Sequence, residues 1–319
     1  MTVTQTDLHE WRNEVESCEW ATFYEHPDWY EAWSAQLGKG VVPECWKVNI
    51  DNRRTVLVPL LKKRALKGMS HTYSGAPGGL YSGPISSLVI SLEEANDTVI
   101  SLAKKLRNLD IRLNPFWFRK HTHDTMPEPW VQSNFTQTIR LNPFDENKIE
   151  ALQSSGVAYD ARYANRKGVQ IQLSDISTLP KFMDVYAVML KKWGNVGTVY
   201  SDRFFESLIS SSHSDFWMIT CDDEYIGGGI LLKSTHHVSS WLTIIHHDSL
   251  KLRPYEFTYD YLIDHYRQHG FTWFDFNPSA GLDGVVKFKE KFGTEILPFP
   301  EFSKYSGMIR LTNFIRGAF

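Results

Sequence analysis

The chain has 319 residues, of which 42% are hydrophobic, 14% aromatic and 22% charged. A chain of this length fits two domains of ordinary size or one large domain. Its formal net charge of −3 argues against a protein that binds mainly by neutralising many phosphates, because that mode of binding needs a large basic surface. A disulfide framework and a structural zinc site are also disfavoured, because the cysteines have no paired or ligand-like spacing. These cysteines are Cys18, Cys45 and Cys221.

The sequence also indicates a compartment. No apolar run approaches the roughly 20 residues that a membrane-spanning helix needs. The N-terminal segment MTVTQTDLHEWRNEVES lacks the basic start and the apolar centre of a signal peptide. We therefore expect a cytoplasmic protein.

The first part of the chain alternates between helix and strand patterns. Trp29, Trp33 and Leu37 recur every four residues after the turn signal His26-Pro27, and this spacing predicts one apolar face of a short helix. Short β-branched clusters predict strands, and apolar residues spaced by three and four predict a helix. The segments are 45–51 and 54–64 for a strand pair, 92–109 for a helix, and 111–118 and 135–141 for two further strands.

A segment rich in small residues, 70–86, lies between these elements. Its glycines and prolines surround Tyr73 and Tyr81 and predict a loop. Such a loop is either a surface connection or one wall of a binding cleft, where glycines admit a ligand close to the backbone. In the second interpretation the two tyrosines flank the ligand.

A basic helix opens the second half of the chain. Residues 157–167 are predicted to be helical, and Arg162 and Arg166 lie four residues apart on this helix. Two arginines on one helical face can bind an anionic ligand together through their forked guanidinium groups, or they can form a solvated basic face. The sequence leaves both interpretations open.

Two helices with apolar stripes, 179–193 and 202–211, precede three strands in an antiparallel meander. The segment Gly227 to Gly229 lies inside the middle strand, where glycine marks a bulge or the close approach of another group, for example a ligand. His236-His237 and His246-His247 are adjacent pairs, so at most one member of each can point to a common centre. This argues against a metal site and makes His246 the candidate histidine to face a substrate.

The pattern then predicts a helix, a strand and a short helix. Arg253-Pro254 opens a helix that Gly270 ends. The alternating segment 271–276 is a strand, and residues 285–292 form the short helix after the loop SAGLDG. The order strand, helix, strand implies a crossover to a parallel strand.

Four motifs of the chain resemble those of FemAB-like proteins and of the related BioF-type acetyltransferase-domain proteins, in the GNAT superfamily. They occur in the order of that family and extend over nearly the whole chain, and the F-K-x-x-F-G frame from Phe288 to Gly293 is the most specific part. The motifs are HPDWYEAW (26–33), SGAPGGLYSGPI (74–85), YDARYANRKGV (159–169) and GLDGVVKFKEKFG (281–293).

The resemblance implies an α+β fold of two tandem GNAT-like (acyl-CoA N-acyltransferase) domains, with mixed central sheets flanked by helices. We expect an N-terminal domain at residues 1–144 and a C-terminal domain, which carries most of the cleft, at residues 145–319. The resemblance also implies transfer of an acyl or aminoacyl group to an amine. In this fold the third strand of the meander and the crossover strand can part, and the gap receives the acyl carrier.

Residue roles follow from the aminolysis of an ester or thioester, which needs an orienting cleft and positive or N–H groups where the oxyanion develops. Lys289 is the first candidate to offset this charge or to orient an anionic substrate. Arg162 and Arg166 are expected to clamp a phosphate or carboxylate and to face Lys289 across the acceptor. Asp275 and His246 are the candidates to accept the proton of the amine, directly or through water.

Four further residues complete the predicted site. Tyr255 is expected to donate a hydrogen bond to the leaving group, and Trp241 and Tyr81 to form walls of the cleft. Arg253 is expected to bind the carrier phosphates with the N-terminus of its helix, although the glycines of the GNAT phosphate loop are absent from HDSLKLRPYEF. For Tyr255, Trp241 and Tyr81, and for Asp275 and His246 above, packing or a satisfied polar group in the core is the alternative.

The predicted function is N-acyl transfer from acyl-CoA, as a co-substrate, or from another acyl carrier. The acceptor is the amine of an amino sugar or amino-acid-like small molecule, free or nucleotide-linked. One alternative is a FemAB-type transferase that uses aminoacyl-tRNA on a peptidoglycan precursor, which the lack of a long charged heptad segment does not favour. The other is a non-catalytic GNAT-like binding protein. No metal is expected, and the sequence indicates no oligomeric state.

Overall fold

A computed structural model describes residues 1–51, 53–65, 68–75, 77–121, 130–143, 156–194, 198–307 and 309. The chain divides into two compact units. The first unit comprises residues 1–135 and 297–319, and the second comprises residues 136–296. Residues 297–319 thus belong with the first unit, whereas the expected C-terminal domain included them. The physical reason is strand pairing, since residues 301–304 pair with residues 109–112 of the first unit.

The strands are β1 (Thr2–Thr6), β2 (Val41–Asn49), β3 (Thr55–Ala65), β4 (Ser70–Ser74), β5 (Leu109–Arg112), β6 (Val131–Arg140), β7 (Val169–Ser174), β8 (Ser214–Cys221), β9 (Glu224–Lys233), β10 (His237–Ile245), β11 (Trp273–Asp275) and β12 (Glu295–Lys304). The α-helices are α1 (Leu8–Ser17), α2 (Pro27–Leu37), α3 (Leu92–Lys105), α4 (Pro115–Phe118), α5 (Val157–Arg166), α6 (Leu179–Lys192), α7 (Asp202–Ile209), α8 (Pro254–Gln268) and α9 (Asp283–Glu290).

In the first unit β1, β2, β3 and β4 are antiparallel neighbours in chain order, and β4 pairs in parallel with β5. The HPDWYEAW motif forms the start of α2, with Pro27 in the first turn, and its Trp29 and Tyr30 are completely buried. The hydroxyl of Tyr30 donates to the carbonyl oxygen of Gly75 at 2.9 Å. This motif therefore packs the first unit together.

The segment IRLNPFWF, predicted as one strand, divides into a strand and a helical turn. β5 ends at Arg112, and Pro115 opens α4. The side chain of Asn114 caps α4, because its Oδ1 accepts the backbone N–H of Phe116 at 2.8 Å. Proline is favoured at the first helical position, where no N–H is needed. The aromatic residues that follow Pro115 are favoured in strands, and a prediction from the pattern alone therefore misses this cap.

In the second unit β8, β9 and β10 form the predicted antiparallel meander, and β7 adds a fourth antiparallel strand beside β8. β11 pairs in parallel with β10 and antiparallel with residues 138–140 of β6. α8 connects β10 to β11, and its buried Leu262, Ile263 and Tyr266 pack in one core with Phe274 and Phe292. The crossover strand therefore lies beside the last strand of the meander. Among the described residues, no helix has the length and apolar character to cross a bilayer.

Gly227 and Gly228 in β9 are required because neighbouring strands approach closely. A Cβ atom on Gly228 would lie 2.8 Å from the carbonyl oxygen of Trp217, and one on Gly227 would overlap the carbonyl oxygen of Ile244. Backbone atoms cannot move aside as a flexible side chain can. Neighbouring strands of the sheet therefore account for these glycines, and no ligand is needed to explain them.

Gly228→Ala is expected to lower the free energy of unfolding by about 1–3 kcal/mol, because the added methyl group overpacks the sheet. Urea unfolding measures this difference. Gly284→Ala is the control, since nothing lies within 4 Å of a Cβ atom at this helical position, and helix propensity makes it neutral or stabilising. Equal stabilities of the two variants would contradict the close-approach explanation.

Candidate active site

β10 and β11 part after a short parallel pairing. Residues 237–239 pair with residues 273–275, and β11 ends there. β10 continues to Ile245 and shifts its register against β9 between Ser240 and Leu242, where Trp241 forms a bulge. A bulge bends a strand and aims its side chains anew. β10 and β11 are therefore paired only over the first three residues of β10. The predicted fold needs such a separation to form the gap for the acyl carrier.

The turn after β11 has an unusual backbone conformation. Asn277 has a φ angle of 63°, Ala280 of 49° and Gly281 of 74°. Left-handed conformations are uncommon for residues other than glycine, and they persist only where the surrounding structure holds them. This turn leads the chain from the end of β11 back to α9.

α9 brings Lys289 to this turn. The two phenylalanines of the F-K-x-x-F-G frame anchor the helix, because Phe288 and Phe292 lie 5.8 and 5.7 Å from the ring of Tyr259 on α8. Lys289 is only 5% exposed. Its Nζ donates to the carbonyl oxygen of Asn277 at 2.5 Å and to the hydroxyl of Ser279 at 2.8 Å.

The charge of Lys289 is poorly solvated. Burial lowers the pKa of Lys289 to about 8, and the negative charge of Asp275 opposes this shift. The ammonium group is therefore still mostly protonated at pH 7. It has three N–H donors, and the described residues supply two acceptors for them. The described hydrogen bonds therefore account for two of the three donors.

Asp275 is completely buried at the end of β11. It accepts hydrogen bonds from the hydroxyl of Thr136 and from the backbone N–H of Asn277, the latter at 2.9 Å. Its second oxygen lies 3.7 Å from Nε2 of His237. The predicted role of Asp275 as a direct proton acceptor is incompatible with this burial, because the amine of an acceptor cannot reach the carboxylate. Asp275 instead supplies a counter-charge to Lys289 and holds the turn.

Sequence reasoning missed the neutral residues that hold Lys289. Asn277 directly follows the predicted strand 271–276, and Ser279 begins the predicted loop SAGLDG. Ser279 in turn donates to Oε1 of Gln137 on β6 at 3.2 Å, and the amide of Gln137 donates to the carbonyl oxygen of Val286 in α9. A polar run, Asn277-Pro278-Ser279, next to an apolar strand was the available signal.

The predicted arginines lie on the outer side of the second unit. Arg162 and Arg166 are exposed on α5, and Arg162 acts electrostatically on Asp260 of α8. Arg253 is 54% exposed at its side chain and lies 3.9 Å from Asp160. No described contact joins any of these arginines to Lys289, so the clamp facing Lys289 stays a prediction.

Two further predicted residues lie near the end of β10. His246 directly follows β10, its side chain is 39% exposed, and its Nδ1 lies 3.8 Å from a carboxylate oxygen of Asp248. The ring of Tyr255 lies 6.0 Å from that of Phe288, and burial raises the pKa of its hydroxyl. Tyr255 thus packs against α9, and its hydrogen bond to a leaving group stays a prediction.

The two predicted walls differ in their surroundings. Tyr81 is completely buried in the first unit, where its ring contacts those of Tyr24 and Phe299. It is a core residue, and the expectation that it walls the cleft is wrong because no part of the ring is exposed. Trp241 is half-buried at the bulge of β10, 5.1 Å from the ring of Tyr200.

The N-terminus of α8, the predicted site for carrier phosphates, offers few N–H donors. Arg253 precedes it in a left-handed conformation with a φ angle of 59° and makes no side-chain cap. Pro254 begins the helix without an N–H group. The carboxylate of Glu256 in the first turn is buried and lies 3.3 Å from Nζ of Lys291. Within the described residues, no group of three metal-ligating side chains occurs.

A family model of the acetyltransferase (GNAT) domain matches residues 156–290. This stretch contains the meander, the crossover helix α8, β11 and the turn that holds Lys289. Among curated proteins, no sequence matches the chain significantly.

Solved structures resemble the chain over most of its length. FemX is 13% identical and superposes with a TM-score of 0.68 over 94% of this chain and 97% of its own. A conserved protein of unknown function from Bacteroides thetaiotaomicron VPI-5482 is 12% identical, with a TM-score of 0.59 over 95% and 99% of the two chains. The C-terminal domain of a protein named as a lysylphosphatidylglycerol synthetase, from Agrobacterium fabrum, is 14% identical, with a TM-score of 0.55 over 82% and 85%.

At these identities the likeness to solved structures shows the fold. The predicted fold class, α+β with tandem GNAT-like domains of mixed sheets and flanking helices, is confirmed. The resemblance to FemAB-like proteins that the sequence motifs indicate is also confirmed at the level of the fold, and residues 156–290 match the family model of the acetyltransferase (GNAT) domain.

Proposed function

We propose that this protein is an N-acyltransferase, which moves an acyl group from an activated carrier to the amine of an amino sugar or amino-acid-like acceptor. The observation that carries the proposal is the ammonium group of Lys289 at the parted ends of β10 and β11, with two N–H donors bound to neutral oxygens. The GNAT domain at residues 156–290 supports acyl transfer in general. We also propose that the protein works in a reducing compartment such as the cytoplasm, because its three cysteines are free.

The chemistry requires an oxyanion to be stabilised. The neutral amine attacks the carbonyl carbon of the donor, a C–N bond forms, and the carbonyl oxygen becomes negative. A preorganised charged donor in a site with little water stabilises such an oxyanion far better than water does. The third N–H of Lys289 supplies this donor. When the intermediate collapses, the bond to the carrier breaks, and the carrier's sulfur or oxygen leaves with the electron pair.

The proton of the amine leaves through a group that is exposed to solvent. Asp275 is completely buried, so the amine does not reach it directly. His246 at the end of β10 stays the predicted acceptor, since its ring is partly exposed. The base need not be strong, because an amine that binds in its neutral form loses its proton only after the attack.

A screen of donors tests the proposal. The purified chain is incubated with glucosamine or free amino acids and with acetyl-CoA, longer acyl-CoAs or charged tRNA, and mass spectrometry detects amide products. We expect one donor class to give product with the wild type and about 100-fold to 1,000-fold less with Lys289→Met. Failure of every donor, or equal product from the variant, would contradict the proposal and favour the non-catalytic interpretation.

One observation favours aminoacyl-tRNA over acyl-CoA as the carrier. A diphosphate bound at a helix N-terminus needs consecutive free N–H groups and a positive potential. Pro254 removes one donor, and the buried carboxylate of Glu256 lies in the first turn, offset by Lys291. We propose that the N-terminus of α8 is not a diphosphate site and that the phosphates of the donor bind at another place on the chain. Product from charged tRNA alone would support this candidate, and product from acetyl-CoA alone would overturn it.

Arg162 and Arg166 are expected to bind an anionic group of the donor or acceptor. The double variant Arg162→Ala/Arg166→Ala should then raise KM by about 10-fold with little change in kcat, because it removes binding that the ground state and the transition state share. Steady-state kinetics with the donor found in the screen measure this. Arg203→Ala, at another exposed arginine of the second unit, is the matched control. A KM equal to that of the control variant would show that the two arginines form a solvated basic face.

A further inference from the structure

The side chain of Asn277 ties the turn after β11 to the bulged part of β10. Its Oδ1 accepts the hydroxyl of Ser239 at 2.7 Å, and its Nδ2 donates to the carbonyl oxygen of Ser240 at 2.9 Å. Ser239 is the last residue of β10 that pairs with β11, and the bulge follows Ser240. The amide therefore bridges the two strands at the point where they part. Asn277 is only 6% exposed.

The backbone of Asn277 holds Lys289 and Asp275 at the same time. Its carbonyl oxygen accepts Nζ of Lys289 at 2.5 Å, and its N–H donates to Oδ1 of Asp275 at 2.9 Å. Asn277 makes these two bonds in a left-handed conformation, with a φ angle of 63°. Asparagine tolerates this conformation better than most residues with a side chain. The direction of its carbonyl group therefore depends on a turn that the side-chain bridge holds in place.

We propose that Asn277 is a positioning residue for acyl transfer, whose side-chain bridge to β10 fixes the carbonyl oxygen that aims the ammonium group of Lys289 at the reacting carbonyl. The inference rests on the proposed function and adds a residue that does not itself contact the substrate. The bridge needs an amide, because one end accepts from Ser239 and the other donates to Ser240. Glycine permits the backbone conformation without the bridge, and aspartate would place an acceptor against the carbonyl oxygen of Ser240.

Few of the described groups near Lys289 affect its pKa. Asp275 on β11 raises its pKa, and burial lowers it. His237 on β10 lies behind Asp275 at 3.7 Å. Tyr259 on α8 packs beside Phe288 and is itself buried, which raises the pKa of its hydroxyl. A looser turn would let water reach Nζ, so the pKa of Lys289 would rise from about 8 towards its ordinary value of 10.5.

The test compares Asn277→Gly with Ala280→Gly. Both changes put glycine at a left-handed position of the same turn, but only the first removes the bridge. For Asn277→Gly we expect kcat/KM to fall by on the order of 100-fold, because a small displacement of a catalytic group has effects of this size. We also expect the alkaline limb of its pH profile to move up by about one pH unit. Ala280→Gly should retain the wild-type rate and profile.

A purely structural role for Asn277 predicts another result. The folded Asn277→Gly variant would then show a lower melting temperature and an unchanged alkaline limb, and this outcome would overturn the inference. If Asn277→Gly does not fold, Ser239→Ala removes one bond of the bridge from the other strand. We expect the same upward shift for Ser239→Ala with a rate loss of about 10-fold, and an unshifted limb would overturn the inference equally.

The pKa of Lys289 can also be measured without a substrate. Competitive amine labelling across pH, with mass spectrometry of the peptide that contains Lys289, reports its protonation directly. A raised pKa in Asn277→Gly would support the bridge even if no donor reacted, in which case the proposed function would fail by itself. An unchanged pKa would defeat the inference even with an active wild type.

Discussion

Lys289→Met should reduce acyl transfer by about 100-fold to 1,000-fold, which is the loss seen when one donor to an oxyanion is removed. Methionine has nearly the length of lysine and fills the same buried space between Phe288 and Phe292, so the packing of α9 is retained. The loss should appear in kcat, because the hydrogen bond forms only as the oxyanion develops. Steady-state kinetics with the donor found in the screen give this value. Lys287→Met, an exposed lysine on the same helix, is the matched control.

The stability of Lys289→Met should change in the opposite direction to its activity. The pKa of Lys289 is about 8 in the folded chain and 10.5 ordinarily. The unfolded chain therefore binds more protons between these pH values, and the free energy of unfolding of the wild type rises as pH increases through this window. The shift corresponds to about 3 kcal/mol, and this cost is fully present below pH 8. The variant avoids the cost but loses the hydrogen bonds to Asn277 and Ser279, so near pH 7 it should be at least as stable as the wild type.

Two pH series check this sign. In urea unfolding from pH 7 to pH 10, the wild type should gain stability relative to Lys289→Met, and most of the gain should come above pH 8. The kcat/KM of the wild type should decline above about pH 8, as Lys289 loses its proton. A wild-type rate that stayed constant through pH 9, or a large loss of stability in the variant at pH 7, would show that Lys289 is a packing residue.

Asp275→Ala should lower the free energy of unfolding by about 3–5 kcal/mol, the usual cost of leaving one buried charge without its partner. The change exposes no new surface, because Asp275 is completely buried. It leaves the hydroxyl of Thr136 and the N–H of Asn277 without their acceptor, and it removes the negative charge that raises the pKa of Lys289. Urea unfolding at pH 7 measures the loss, and Asp283→Ala, at an exposed carboxylate in the first turn of α9, is the control.

A double-mutant cycle separates the electrostatic part of this loss. In the Asp275→Ala/Lys289→Met chain no buried ammonium group remains, so the loss should be smaller than the sum of the two single effects by about 1–3 kcal/mol. In Asp275→Ala alone the alkaline limb of the rate profile should move to lower pH, because the pKa of Lys289 falls. Additive stabilities would show that Asp275 acts through its hydrogen bonds and not through its charge.

Local patterns were sufficient for most of the secondary structure in the second unit. The meander, the helix that Pro254 opens and the strand after it were predicted because their signals are short in range: apolar alternation, turn residues and a glycine at the helix end. Lys289 was singled out in another way, by the resemblance of its F-K-x-x-F-G frame to a family motif and by the need of aminolysis for a positive group. The segment around Asn114 was predicted less well, since its strand-like alternation conceals a capped helical turn.

The sequence by itself determined the fold class and the family resemblance, and it singled out Lys289 as a candidate, because each inference rests on residues close together along the chain. Only the tertiary structure decided what surrounds this lysine. Asn277 and Ser279 bind it from the turn after β11, and Gln137 of β6 binds Ser279. Polar residues in a loop carry no sign of such distant partners. The tertiary structure also decided that Tyr81 is a core residue and that Asp275 is buried. Burial depends on what the rest of the chain packs against a residue, and this packing is set by contacts between segments far apart in sequence.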